Sequence, residues 1–70
     1  MTARRLALMI GRRGVCVLHT DSGVLRLPVV VTDARGAYGR VDVEVEPLLG
    51  SGRIWVRRTN LTLDDEEGVA

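Results

Sequence analysis

Cys16, His19 and Asp21 lie within six residues of one another and are the side-chain types from which a nucleophile, a base and an orienting acid are built. Their spacing argues against that use. On an extended chain successive side chains point to opposite faces, so Cys16 and His19, three apart, diverge and form no nucleophile and base pair within one chain. His19 shares its parity with Val15 and Val17 and is expected as a partly buried strand residue, and Cys16 as a small apolar core residue. A second set, Asp42, Glu44 and Glu46, places three carboxylates on one face at alternate positions. Arginines expected opposite them would keep them ionised, the reverse of what a general acid needs. One Cys and one His do not supply the clustered ligands of a structural zinc site, and a lone cysteine makes no intramolecular disulfide. Gly50-Ser51-Gly52 leads into a strand, whereas a phosphate-cradling loop leads into a helix. The chain is therefore expected to be no enzyme, with no metal and no cofactor, and its chemistry to be that of binding.

Two groups of residues are candidates for that binding. If Glu46 faces Arg53 across the loop of residues 47–52, an antiparallel register sets Val45 against Ile54, Glu44 against Trp55, Val43 against Val56 and Asp42 against Arg57. The valines then share one face. The other face carries Glu46 with Arg53 and Asp42 with Arg57 as cross-strand ion pairs, with Trp55 between the arginines. Arg53, Trp55 and Arg57 thus form a rigid aromatic flanked by cations, a combination enriched at protein interfaces and at stacking sites for single-stranded nucleic acid. The same residues also suit a solvated face on which arginine stems cover the indole. Glu44 and Glu46 close by would repel phosphate, so a protein partner is the expectation. The alternative is a weak, salt-sensitive nucleic-acid binding protein using Arg4, Arg5, Arg12, Arg13 and Arg58, which have no acidic neighbour in sequence.

The elements that must position these residues follow from hydrophobic period. In Arg40-Val41-Asp42-Val43-Glu44-Val45-Glu46 every second residue is valine and the others are charged, which is the pattern of a half-buried strand. Residues 29–32 form a β-branched run, and Arg53-Ile54-Trp55-Val56-Arg57 repeats the alternation. The intervening stretches 33–39 and 47–52 each hold two glycines and read as turns, giving a three-stranded meander. Upstream, residues 6–10 and 15–20 are short apolar runs expected as strands, joined by Gly11-Arg12-Arg13-Gly14 as a hairpin loop that puts Arg12 and Arg13 at its tip; the alternative for residues 6–13 is one or two helical turns, which Gly11 disfavours. Asp21-Ser22-Gly23 is a second tight turn into residues 24–27, after which Pro28 predicts an edge, kink or bulge in one long strand. Five short strands with such a bend predict an all-β fold, a small five-stranded SH3-like barrel, because closure removes sheet edges.

The stretch VVVTDARGAYGRVDVEVEPLLGSGRIWV, residues 29–56, resembles the central meander of small SH3-like barrel proteins, including uncharacterised ones of bacterial mobile elements and phages. The resemblance implies a fold and a role in interaction, with no reaction attached. Peptide-binding SH3 domains line their groove with several aromatics, whereas this chain has only Tyr38 and Trp55.

Composition frames these elements. All ten basic residues are arginine, and residues 1–63 set those ten against five acids, a net of +5, while Asp64, Asp65, Glu66 and Glu67 bring the whole to +1. The expected organisation is a basic N-terminal arm (residues 1–5), a barrel (6–63) and an acidic disordered tail (64–70). The apolar run 6–10 is too short for a signal-peptide core or a membrane span, so the expectation is a cytoplasmic protein with no membrane association. At seventy residues a single core leaves only about 3–5 kcal/mol of stability, which favours a homo-oligomer.

Overall fold

The alternating valine segment is the centre of the structure. In the computed structural model, which describes residues 3–64, it forms β3 (Arg40–Pro47), with Val43 and Val45 wholly buried and the acids between them on the other face. The remaining elements in chain order are a five-residue helix α1 (Ala3–Ala7), β1 (Arg13–Thr20), β2 (Gly23–Ala37), β4 (Ile54–Arg57), a single 3-10 turn (Arg58–Asn60) and β5 (Leu61–Leu63). The strands make one five-stranded antiparallel sheet in the order β4-β3-β2-β1-β5, so the fold is all-β. The sheet is open, with β4 and β5 as its two edges.

β2 is fifteen residues long because its two halves serve different partners. Residues 23–30 pair with β1 and residues 29–37 with β3, leaving only Val29 and Val30 paired on both sides. The strand bends by a register shift between Val31 and Asp33, which leaves Thr32 as the extra residue of a bulge. The irregularity expected from Pro28 therefore falls four residues later. Pro28 itself stays in the ladder opposite Val15, and its carbonyl accepts a 3.1 Å bond from the Leu48 N–H.

Three expectations are corrected. Residues 6–10 are not a strand: α1 runs to Ala7 and continues as successive turns, with the N–H groups of Met9, Ile10 and Arg12 donating to the carbonyls of Leu6, Ala7 and Met9. Apart from Ile10, residues 3–10 are Ala, Arg, Leu and Met, all good helix formers, and partly buried Leu6 and buried Met9 are three apart while Leu8 and Ile10 face water. Consequently Arg12 and Arg13 are not at a hairpin tip. The Arg12 carbonyl accepts from the Val31 N–H of β2 at 2.9 Å while the Gly11 N–H donates to the Val31 carbonyl at 2.7 Å, and Arg13 begins β1. Residues 33–37 are strand and not loop, so the β2–β3 connection shrinks to Tyr38 and Gly39, whose φ values of 53° and 76° are those of a type I′ turn. The fifth strand is not upstream but downstream: β5, with Leu61 and Leu63 buried and Thr62 exposed, lies along β1. Of the expected arm, residues 3–5 belong to α1; of the expected tail, residues 65–70 lie outside the described residues, as do Met1 and Thr2.

The core is aliphatic: Met9, Cys16, Val29, Val31, Val43, Val45, Leu61 and Leu63 are buried, with Leu6, Leu18, Leu27, Ala34, Val41 and Val56 packed around them. α1 and the turns that follow it carry Leu6 and Met9 onto the inner face of the sheet. On the far side β5 approaches β1 so closely that a Cβ on Gly14 would sit 2.5 Å from the Thr62 carbonyl oxygen and 3.0 Å from the Leu63 Cα. Both neighbours are backbone, so they give way only if β5 moves. Gly14→Ala is expected to cost about 2–3 kcal/mol, the upper range for overpacking, seen as a lower urea midpoint. An unchanged midpoint would show that β5 is not held at that distance.

Candidate functional site

The face opposite the valines is built by β2, β3 and β4 in register. Antiparallel pairing sets Asp42 against Arg57, Val43 against Val56, Glu44 against Trp55 and Val45 against Ile54, the pairing that the positions of charge and valine predict. β2 adds a third column, Arg35 opposite Asp42 and Asp33 opposite Glu44. The outward face therefore runs Arg35, Asp42, Arg57 in one row and Asp33, Glu44, Trp55 in the next.

Arg53 and Glu46 form their expected ion pair at 3.7 Å, but Arg53 is largely in water and Glu46 is only partly buried, so the pair contributes at most about 1 kcal/mol. The expected pair of Asp42 with Arg57 is a correction. The Asp42 carboxylate, only 13% exposed, lies 3.5 Å from Arg40 Nε and 3.9 Å from Arg35 Nε. Arg40 is two residues away on the same face of β3 and Arg35 is its cross-strand neighbour on β2. Arg57 has no ion pair among the described residues.

Trp55 is also held differently from expectation. The Arg35 guanidinium carbon stands 4.3 Å from the indole centroid, a cation–π contact from β2, so the stacking partner is neither Arg53 nor Arg57. The guanidinium lies between the ring and the Asp42 carboxylate, and each contact limits its freedom to leave the other. The ring remains 39% exposed. Beside it, the bulge residue Thr32 directs its hydroxyl to Glu44, 2.9 Å from Oε1 and 3.2 Å from the carbonyl; with one proton for two acceptors, the shorter contact to the carboxylate is the stronger. Glu44 is thereby fixed on the floor beside Trp55. Sequence reasoning missed Arg35, Arg40 and Thr32. The signal for the first two was Tyr38-Gly39 itself: a two-residue turn between alternating runs sets Ala37 against Arg40 and Arg35 against Asp42.

The five arginines of the nucleic-acid alternative are placed on separate elements. Arg4 and Arg5 lie in α1, Arg12 and Arg13 lead into and begin β1, and Arg58 lies in the 3-10 turn, where its guanidinium donates to the Leu61 carbonyl at 2.6 Å. Cys16 and His19 diverge as their parity requires. Cys16 is completely buried, whereas His19 is exposed at the far end of β1, a correction to the expected partial burial. No group of three or more His, Cys, Asp or Glu suited to a metal ion occurs among the described residues. No helix among them is long and apolar enough to cross a membrane.

No family model, curated protein or solved structure matches the chain. The geometry of the Trp55 face is therefore the ground on which function is argued.

Two outcomes follow for solution behaviour. Arg35→Ala uncovers the indole, so Trp55 emission should move to longer wavelength while stability falls by no more than about 1–2 kcal/mol. An unmoved spectrum would mean that Arg35 does not cover the ring. Burial raises the Cys16 thiol above its ordinary value of 9.0. Below 9.0 the thiol is protonated in folded and unfolded chains alike; above it the unfolded chain ionises first and gains stability. Folding stability should thus decline as pH rises from 9.0 through the raised folded value, and Cys16→Ala should remove that component of the slope. Equal slopes for both proteins, measured by denaturant titration across this window, would contradict it.

Proposed function

We propose that the chain is a small SH3-like barrel that acts as a non-enzymatic interaction module, binding a protein partner through the face bearing Arg53, Trp55 and Arg57, extended by Arg35. The barrel reading is supported by the order of the sheet, by the single bent strand shared between two hairpins, and by the return of β5 to the free side of β1 after the meander. The observation that carries the functional reading is the stacking of Arg35 on a part-exposed Trp55. A large aromatic already held in one orientation loses little conformational freedom when a partner covers it, which is the property of an interface anchor.

Charge supports protein over polyanion on this face. Arg35, Arg40, Arg53 and Arg57 stand among Asp33, Asp42, Glu44 and Glu46, four cations against four carboxylates. Such a surface is neutral in sum and patterned in detail, and it suits a partner with its own mixed charges better than a phosphate backbone. Exposed Leu49, on the β3–β4 loop that leads into Arg53, adds apolar area. Exposed Val24 and Leu25 on the β1–β2 hairpin support self-association as a second use of the surface.

The deciding experiment is affinity capture from the native host with wild type and Trp55→Ala in parallel, repeated at about 50 and about 200 mM salt. A partner retained at the higher salt and lost, by tenfold or more in affinity, with Trp55→Ala supports the reading. Retention that collapses with salt, is indifferent to Trp55 and is abolished by nuclease would replace it with nucleic-acid binding through Arg4, Arg5, Arg12, Arg13 and Arg58.

A further inference from the structure

Two clefts meet at the β2–β3 turn and share Gly39, Arg40 and Val41. The larger, of about 470 Å³, lies between α1 and the turn, where Leu6, Ala37 and Tyr38 complete its wall. The smaller, of about 290 Å³, is closed by Arg57, Arg58 and Thr59, so that among the described residues three arginines and no carboxylate line it. Asp42, the acid that register places closest to Arg57, is engaged by Arg35 and Arg40. Arg58 is positioned by its bond to the Leu61 carbonyl. The smaller cleft therefore gathers guanidinium groups beside a hydroxyl, the donor set that recognises phosphate oxygens.

Tyr38 is the second, independent observation. It has φ 53°, in the left-handed region, and its side chain is 104% exposed. A type I′ turn favours Asn, Asp or Gly at this position, and a bulky side chain there is conformationally disfavoured. Full exposure means that the ring returns no burial energy for that strain. Folding gives no reason for a tyrosine at this position, and strain of this kind is concentrated where a residue serves a ligand. Tyr38 lines the larger cleft, and the shared segment Gly39–Val41, which carries Arg40, separates it from Arg57 and Arg58.

We propose that the paired clefts bind a nucleoside phosphate unit, with the base stacked on the Tyr38 ring against the apolar wall and the phosphate among Arg40, Arg57 and Arg58. The sugar crosses the ridge at Gly39, where no side chain obstructs it. The site takes Arg40 and Arg57 from the edge of the charged face and Arg58 from the nucleic-acid alternative, adds Tyr38, which belongs to neither, and does not depend on the protein-binding reading. The same unit reaches the site either as a free nucleotide or as one residue of a single strand.

The test is an amide NMR titration of the full chain with AMP, adenosine, inorganic phosphate and a short oligothymidylate. AMP or the strand should shift the amides of residues 38–41 and 57–59, and AMP should bind about tenfold or more tightly than adenosine or phosphate alone. Tyr38→Asn is the informative variant: asparagine suits the turn, so the thermal midpoint should hold or rise while affinity for AMP and for the strand falls about tenfold. Arg40→Gln should weaken both to a similar extent. Comparable affinity for AMP and the strand would identify a free nucleotide as the source, and much tighter binding of the strand a single-stranded nucleic acid; both support the site. The proposal is overturned if neither ligand moves residues 38–41, or if Tyr38→Asn binds both as tightly as the wild type.

Discussion

The double duty of β2 is the constraint on which everything else rests. A strand that hydrogen-bonds one neighbour with its first half and another with its second cannot lie flat, because the two hairpins must diverge from the two residues they share. The bulge at Thr32 takes up the divergence and rolls the sheet so that Val29, Val31, Val43 and Val45 converge on one side. A chain with no phenylalanine and only two other aromatics has little volume with which to fill a core. Curling the sheet solves that problem by shrinking the space to be filled, and α1 with the turns after it covers what remains through Leu6 and Met9.

The same bulge sets up the outward face. By advancing the register one residue it brings Asp33 and Arg35 opposite Glu44 and Asp42, which is why an arginine from β2 reaches an indole on β4 two strands away. The unpaired Thr32 then turns its hydroxyl to Glu44 in place of a ladder bond. Core and surface are thus products of one irregularity: its inward effect is packing and its outward effect is the ordering of charge around Trp55.

How much of this was legible in the sequence depended on whether a signal was carried by alternation. Strands β3 and β4 announced themselves, because charge and valine alternate without interruption, and their pairing to the residue followed from keeping the valines on one side. The second half of β2 did not, since Asp33, Gly36 and Ala37 are poor strand formers whose conformation is imposed by β3. Residues 6–10 illustrate the opposite error: five apolar residues in a row have no readable period, and their helix-forming composition was the better guide. β5 escaped notice because Leu61-Thr62-Leu63 is a single alternation, too short to stand out, and only the close approach at Gly14 shows how firmly it is held. For the Trp55 face, the strand and its side were readable, whereas the stacking arginine was hidden behind the misplaced loop.

An open sheet has two flanks with unsatisfied backbone groups, and such flanks are templates for lateral growth into fibrils. Here they are four and three residues long, and the longer is bracketed by Arg53 and Arg57, whose like charges would meet those of any identical strand that tried to stack on it. The molecule therefore leaves its sheet open without becoming adhesive to its own kind along that rim.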